Sequence, residues 1–226
     1  MTADRWIDLF SRLLNAYGAQ EWWPGNDDPL EVAVGAILTQ HCSWRNAERA
    51  LAGLRDAGAL SIEALCDVPD ERMHAAVRAA GFYRSKTATL KGFAQRVADL
   101  HGGRIERLLD QPMVELREEL LAIRGIGEET ADAICLYAGG YASFVIDAYT
   151  RRLLERLGWI EGGESYADLR AVFMEELPAD AELFNEYHAL IVRHAKEHCR
   201  AHPDCAGCPV DDLCTVPGTL SSGGSP

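Results

Sequence analysis

The sequence predicts an all-α protein, and three observations support that prediction. Apolar residues recur at the spacing of amphipathic helices along nearly the whole chain. A tight turn, Gly125-Ile126-Gly127, separates two such runs in the manner of a helix–hairpin–helix connection. No stretch of the sequence reads convincingly as a strand, because period-two alternation bounded by turn residues is missing. Helices are therefore expected to build the core.

Length and charge limit the class of protein. A chain of 226 residues can bury a substantial core as one unit or as two lobes. No apolar run is long enough to span a bilayer, and the first residues do not read as a secretory leader, so we expect a cytoplasmic protein without membrane contact. The formal net charge of −13 argues against non-specific coating of DNA. Residues that could form a local basic face, or a solvated helix surface, are Arg84, Lys86, Lys91, Arg96 and the segment 193–202.

The helices can be placed in order from the apolar spacing. The first spans residues 5–17 and ends near Gly18. The second spans 28–40 and begins with a capping aspartate before a proline. It is apolar almost all round, which predicts a central position. The tail, residues 219–226, is of low complexity, and we expect it to be disordered. The other predicted helices cover residues 47–54, 61–66, 71–80, 86–100, 104–110, 113–123, 149–157, 166–176 and 181–198.

The glycine turn and an aspartate that follows it are the first candidate functional residues. Gly127 leads into a helix, whose free N–H groups favour an anion. The turn is therefore compatible with a grip on phosphate as well as with an ordinary helix connection. Asp147 follows the apolar run 144–146, and a carboxylate in such a setting is a candidate for a buried, reactive group.

These motifs resemble the helix–hairpin–helix–Gly/Pro–Asp superfamily of DNA glycosylases, from about residue 22 to residue 214. The pattern Leu-x-x-x-Gly-Ile-Gly-x-x-Thr-Ala matches the hairpin of that superfamily, and Val-Ile-Asp matches the segment that carries its aspartate. The resemblance implies that Asp147 is catalytic and that the partner is duplex DNA with a damaged base, bound by a monomer in the nucleoid. It implies that the hairpin binds the DNA backbone through Gly125, Ile126, Gly127 and Thr130.

The same resemblance implies how the chain is organised. Two helical lobes are expected, with a DNA-binding cleft between them. Residues 26–135 would form a six-helix lobe that carries the hairpin, and residues 1–25 with 136–226 would form the second lobe. The residue that matches Gln40 fills the space left in the duplex when a nucleotide is extruded, so Gln40 is the expected duplex-intercalating residue.

A cysteine motif of the form C-x5-C-x2-C-x5-C lies near the end of the chain. Four thiolates in one short segment can surround one metal centre, and they suit an iron–sulfur cluster and zinc alike. The endonuclease III-like branch of the superfamily carries a 4Fe–4S cluster in this place, usually with one more residue between its first two cysteines. The resemblance thus implies a structural 4Fe–4S cluster, with zinc as the alternative. The expected ligands are Cys199, Cys205, Cys208 and Cys214.

Position 129 bears on the chemistry. Glycosylases that also cut the strand use a lysine amine to form a Schiff base with the sugar. In the superfamily that lysine lies two residues after the second glycine of the hairpin, where this chain has Glu129. A carboxylate cannot form an imine, so we expect AP-lyase activity to be weak or absent. We also expect Glu129 to stand near Asp147 and to raise one of the two pKa values, unless it is simply a solvated acid in a first helical turn.

Aromatic residues determine the predicted substrate. The expected base-pocket residues resemble those of bacterial 3-methyladenine glycosylases of the superfamily; they are Trp22, Trp23, Trp44 and Tyr149. An N3-alkylated adenine is cationic, so stacking and cation–π attraction would hold it. The predicted function is a monofunctional DNA repair glycosylase for alkylated purines. Two alternatives are a bifunctional endonuclease III for oxidised pyrimidines, with another amine such as Lys196, and a non-catalytic damage-binding module.

Overall fold

All regular secondary structure in the described chain is helical. The computed structural model describes residues 3–20 and 28–215, and no strand occurs within those two ranges, so the all-α prediction is confirmed. No helix there has both the length and the apolar character needed to cross a membrane. The α-helices are α1 (Ala3–Tyr17), α2 (Pro29–Thr39), α3 (Trp44–Asp56), α4 (Ile62–Asp67), α5 (Asp70–Val77), α6 (Tyr83–His101), α7 (Ile105–Leu109), α8 (Met113–Leu121), α9 (Glu128–Ala133), α10 (Ala148–Arg156), α11 (Tyr166–Glu176) and α12 (Ala181–Glu197).

Three short helical turns complete the secondary structure of the described residues. Two are 3₁₀ turns, Arg78–Ala80 and Asp211–Leu213, and the third is a π-helical turn, Ile134–Ala138, that continues α9. The predicted helix starts differ most at α3, which begins at Trp44 rather than at residue 47, and at α6, which begins at Tyr83 rather than at residue 86. The cause is visible at α6. Phe82 adopts a left-handed conformation immediately before it, so the chain turns sharply and the helix starts early. A backbone reversal of this kind leaves no signal in apolar spacing.

The chain divides into two compact units. The hairpin unit is Trp23–Ser143, and the Asp147 unit is Met1–Trp22 with Phe144–Pro226. The sequence placed this boundary at residue 135, whereas the observed division follows residue 143. The Tyr141 hydroxyl donates hydrogen bonds to the carbonyls of Leu109 (3.0 Å) and Gln111 (2.6 Å), and these bonds fasten the segment after α9 to the hairpin unit.

The hairpin unit is built around α2. Nine consecutive residues of this helix, from Leu30 to Leu38, are buried, which confirms the predicted central position. Its first turn is closed by Asp28, whose side chain accepts a hydrogen bond from the Leu30 amide at 2.9 Å. Each fully buried aliphatic side chain of such a helix stabilises the fold by about 1.5–3 kcal/mol. The end of α2, which leads to Gln40, is therefore firmly held.

The Asp147 unit has an aromatic core. Phe144 stacks on Phe173 with ring centroids 3.8 Å apart, and Trp6 lies 4.6 Å from Phe173. The Tyr187 hydroxyl donates to the carbonyl of Trp6 at 2.8 Å. Aromatic pairs in such geometries add about 0.5–1.5 kcal/mol beyond the burial of their area. Because this core begins three residues before Asp147, it fixes the backbone that carries that carboxylate.

Candidate functional site

Asp147 is the N-cap of α10, and its two oxygens have different surroundings. Oδ1 accepts hydrogen bonds from the Thr150 amide (2.7 Å) and the Thr150 hydroxyl (2.9 Å). Oδ2 lies 3.6 Å from Nε2 of His188 on α12. Only 14% of the Asp147 side chain is exposed. One oxygen therefore holds the helix start, while the other faces a histidine.

The charge of Asp147 follows from these contacts. Burial by itself raises the pKa of Asp147, but the attraction of His188 and the hydrogen bonds from Thr150 outweigh it, so the pKa is lowered from its ordinary value. Asp147 is thus an anion at neutral pH. The sequence led us to expect that Glu129 raises one of the two pKa values, and for Asp147 the shift runs in the opposite direction. The sequence reasoning missed His188, although a histidine on the apolar face of a predicted helix was the available signal.

The hairpin needs its two glycines for different reasons. Gly125 has φ +95°, and a Cβ atom there would lie 2.1 Å from Oγ1 of Thr89, so only glycine fits. Gly127 has an ordinary extended backbone, and no atom of the described chain lies within 4 Å of the position of its missing Cβ. Ile126 is buried and anchors the turn in the core of the hairpin unit. The exposed surface over Gly127 leaves room for another molecule to approach the backbone.

A buried ion pair braces the two helices of the hairpin. Asp132 on α9 is fully buried and accepts two hydrogen bonds from Arg117 on α8, at 2.9 and 3.0 Å. The Ser143 hydroxyl donates to the same carboxylate at 2.5 Å. Removal of one partner from a buried charge pair is typically destabilising by about 3–5 kcal/mol. These contacts therefore fix the turn from its inner side.

Gln40, the predicted intercalating residue, is tied to the hairpin. Its Nε2 donates to the carbonyl of Gly125 and to the hydroxyl of Thr130, both at 2.9 Å. Thr130 is buried, so its hydroxyl serves the interior of the hairpin. A direct contact of the Thr130 side chain with DNA stays a prediction. If Gln40 enters a duplex, it must first release both hydrogen bonds.

His41 and Phe82 form an exposed aromatic pair next to Gln40. Their ring centroids lie 6.0 Å apart, and 69% of Phe82 is exposed. Both residues have positive φ angles, +52° and +43°, which are rare outside glycine and cost about 1–3 kcal/mol each. Strain at an exposed aromatic residue indicates a functional constraint. The sequence analysis gave no role to either residue. A bulky apolar side chain directly after Gly81 was the signal for Phe82.

Three of the four cations on α6 that could form a basic face are held by contacts within the chain, and the fourth, Arg84, is exposed. Lys86 is buried, with 3% exposure, Lys91 pairs with Asp70 at 2.6 Å, and Arg96 pairs with Glu119 at 3.1 Å. These groups cannot provide a free positive surface for DNA. Two charged residues that flank the hairpin turn are exposed. They are Arg124, which directly precedes Gly125, and Glu129, in the first turn of α9.

The predicted base pocket is only partly within the described residues. Trp22 and Trp23 lie outside them. Trp44 is the first residue of α3, is half-buried and packs against the core of the hairpin unit. Tyr149 belongs to the Asp147 unit, where the Arg152 guanidinium lies 5.2 Å from the centre of its ring. A shared aromatic pocket therefore stays a prediction.

The cysteine motif lines a single cavity of about 130 Å³ in the Asp147 unit. Arg156 donates through Nη1 to the sulfur of Cys199 at 3.2 Å and to the carbonyl of Arg200 at 2.7 Å, and through Nη2 to the carbonyl of Ala201 at 3.1 Å. No three His, Cys, Asp or Glu side chains of the described chain converge on a position for a single ion. Sulfurs around one cavity, with a cation that donates to one of them, fit the thiolate ligands of an iron–sulfur cluster. The lining cysteines are Cys199, Cys205, Cys208 and Cys214.

Comparison with known proteins identifies the family. Residues 34–179, which include the hairpin and Asp147, match the profile described as HhH-GPD superfamily base excision DNA repair protein. The chain belongs to this superfamily. It is 42% identical over 207 residues to a Methanocaldococcus jannaschii protein assigned as a DNA repair glycosylase, covering 91% of this chain and 94% of that protein. It is 28% identical over 183 residues to endonuclease III of Sulfolobus acidocaldarius, covering 80% and 79%. The HhH-GPD chain is thus a DNA repair glycosylase.

Solved structures show the same fold. The DNA complex of an endonuclease III has a TM-score of 0.81 to the HhH-GPD chain at 21% identity, and covers 95% of this chain and 96% of its own. The Helicobacter pylori 3-methyladenine DNA glycosylase bound to 1,N6-ethenoadenine has a TM-score of 0.72 at 24% identity, with 87% and 98% covered. The predicted superfamily and fold class are therefore confirmed, and both structures are of proteins that act on DNA.

Proposed function

We propose that this HhH-GPD protein is a monofunctional glycosylase that removes alkylated purines, such as 3-methyladenine, from duplex DNA, and that it acts as a monomer in the cytoplasm. The observation that carries this proposal is the ionised carboxylate of Asp147, with one oxygen held by Thr150 and the other facing His188. When the glycosidic bond breaks, its electron pair leaves with the base. The anion of Asp147 then stabilises the cationic sugar until a water adds to C1′ and releases one proton to the solvent, which leaves a neutral abasic sugar.

The ionised state of Asp147 favours a cationic leaving base. Its lowered pKa leaves no proton on the carboxylate at neutral pH, so Asp147 cannot protonate the departing base. A base that already carries a positive charge leaves as a neutral molecule and needs no such proton. Purines alkylated at ring nitrogen N3 or N7 have this property, whereas oxidised pyrimidines are neutral and leave less readily. The ionised carboxylate of Asp147 is therefore consistent with the first substrate class.

The hairpin unit supplies features suited to duplex binding. The open backbone at Gly127 and the exposed cation of Arg124 suit a DNA phosphate. The aromatic pair of His41 and Phe82 can stack on bases, while Gln40 fills the space of the extruded nucleotide after it releases the hairpin. These contacts do not require a basic surface, which is consistent with the acidic composition.

Lysine usage supports a monofunctional reaction. The chain has three lysines, and none lies in the hairpin or beside Asp147 in sequence. Lys86 is buried and Lys91 is paired with a carboxylate, while Lys196 is exposed on α12. Lys196 is the amine that a bifunctional reaction could use. The 28% identity to endonuclease III makes that bifunctional reaction the second candidate function. A panel of alkylated, oxidised and abasic duplexes, assayed with and without alkali, separates the two: alkali-dependent cleavage of the alkylated duplex supports our proposal.

Substitution of Trp44 tests recognition of a cationic base. The half-buried position predicts a smaller loss of stability for Trp44→Ala than the about 3–5 kcal/mol typical of a fully buried tryptophan. We expect Trp44→Phe to retain excision of 3-methyladenine, because phenylalanine keeps a π face, and Trp44→Leu to be defective, because leucine keeps bulk without a quadrupole. Excision rates should be compared at matched melting temperatures. Equal rates for the two variants would argue against charge recognition by Trp44.

We also propose that the cysteine motif holds a 4Fe–4S cluster, which when bound cross-links the C-terminal loop. The ligands would be the four cysteines that line the cavity, and the Arg156 guanidinium would stabilise the thiolate of Cys199. Purified protein should be yellow-brown and contain iron and sulfide. Cys208→Ser should lower soluble yield and iron content, whereas Cys66→Ser, in the hairpin unit, should change neither. One zinc and no iron would contradict the assignment.

A further inference from the structure

Lys86 is a buried cation that the proposed reaction does not use. It lies in α6 with 3% of its surface exposed. Its Nζ donates to the carbonyl of Leu38 at 2.8 Å and to the carbonyl of Ala80 at 2.6 Å. Both of these acceptors are main-chain carbonyls, so a desolvated lysine joins two pieces of backbone. The free-energy cost of burying the ammonium indicates that the connection between these two backbone segments has a role in function.

The two carbonyls that Lys86 binds lie just before Gln40 and just before Phe82. Leu38 is in the last turn of α2, two residues before Gln40, and Ala80 ends a 3₁₀ turn two residues before Phe82. The last carbonyls of a helix have no partner within it and attract a cation. Lys86 thus binds two helix ends at once, and the chain beyond each end carries one member of the aromatic pair.

The aromatic pair needs such a support. His41 and Phe82 both have left-handed backbones, and residues of this kind keep their conformation only where the surrounding structure fixes it. Phe82 is largely exposed, so packing of its own side chain contributes little to that constraint. The bonds of Lys86 to the preceding residues fix both segments from the inside.

We propose that Lys86 is a positioning residue that holds Gln40 and the aromatic pair in the arrangement that opens the duplex. This inference rests on the proposed function, because it concerns how a base is extruded before excision. Lys86 does not touch DNA in this scheme. It acts at the step where base stacking is broken, and leaves the chemistry at Asp147 unchanged.

The test is Lys86→Met, which keeps the length of the side chain and removes its donor. Two duplexes carry the probe 2-aminopurine, whose fluorescence rises when the base unstacks. One duplex is fully paired, and the other has a mismatch at the probe. The mismatch already weakens pairing and stacking there, so less free energy is needed to extrude the base. We expect Lys86→Met to bind the paired duplex about tenfold more weakly, with a smaller fluorescence rise, and the mismatched duplex nearly as well as wild type. Equal loss on both duplexes would indicate a merely structural role and overturn the inference.

Lys91→Met is the matched control. Lys91 lies on the same helix, and its ion pair with Asp70 joins α6 to α5 rather than to the aromatic pair. This variant has the same change in charge and should behave as wild type on both duplexes. If Lys86→Met does not fold, Lys86→Gln carries the same test, since its amide can still donate to one carbonyl, and an intermediate effect is expected.

A double-mutant cycle tests whether Lys86 acts through Phe82. Phe82→Ala should weaken opening of the paired duplex, and Lys86→Gln should add little in the Phe82→Ala background. Independent, additive effects would contradict the inference. Absence of any fluorescence rise with wild-type protein would overturn the proposed function and this inference together. A rise that persists unchanged in both Lys86 variants overturns the role of Lys86 alone.

Discussion

Asp147→Asn should reduce the single-turnover rate of 3-methyladenine excision by about a thousandfold, the upper range for loss of one electrostatic group in an active site. Asparagine is as good an N-cap as aspartate, so its side-chain oxygen can still accept the hydrogen bond of the Thr150 amide. The start of α10 and the melting temperature should be nearly unchanged. The neutral amide, however, cannot stabilise a cationic sugar, so the chemistry is lost while DNA binding remains.

Asp180→Asn is the matched control for this variant. Asp180 caps α12 in the same unit, with its carboxylate accepting from the amides of Glu182 and Leu183. The substitution removes the same charge from the same kind of helix position, and we expect the excision rate to stay at the wild-type level. The excision rate should be measured under conditions where product release is not limiting. A rate near that of the wild type for Asp147→Asn would contradict the proposed mechanism.

Borohydride should fail to trap wild-type protein on DNA, and Glu129→Lys should make trapping detectable. The expected change is from no covalent complex to a visible one, because borohydride links protein to DNA only by reducing an imine between an amine and the sugar, and no lysine lies in the hairpin. The side chain at position 129 is exposed in the first turn of α9, so a lysine there fits without disturbing the core. The complex is measured as a shifted band on a denaturing gel.

Glu128→Lys controls for the charge change in this experiment. Glu128 is the neighbouring acid of the same turn, but it lies 3.4 Å from Arg117 and faces another direction on the helix. A lysine at 128 should not be trapped. Efficient trapping of the wild type would instead support the bifunctional reaction and direct attention to Lys196, which Lys196→Arg would then test.

The local pattern of the sequence determined the helices and the main chemical groups. Apolar spacing placed α2 at the centre, and its nine buried residues agree with that placement. The glycine turn at 125–127, the apolar run before Asp147 and the cysteine spacing were also visible, because each is a pattern of residues close together in the chain. The resemblance of these motifs was sufficient to predict the superfamily that residues 34–179 match.

Only the tertiary structure decided how these groups are connected, because the connections join residues that are distant in sequence. His188 meets Asp147 across 41 positions and lowers its pKa, which no local pattern reveals. Lys86 looked like part of a basic surface, yet its ammonium lies inside the hairpin unit on two main-chain carbonyls. Hydrophobic periodicity records which face of a helix is buried. It does not record which polar groups meet when that face is buried. In this protein such long-range contacts set the charge of Asp147 and the position of Lys86.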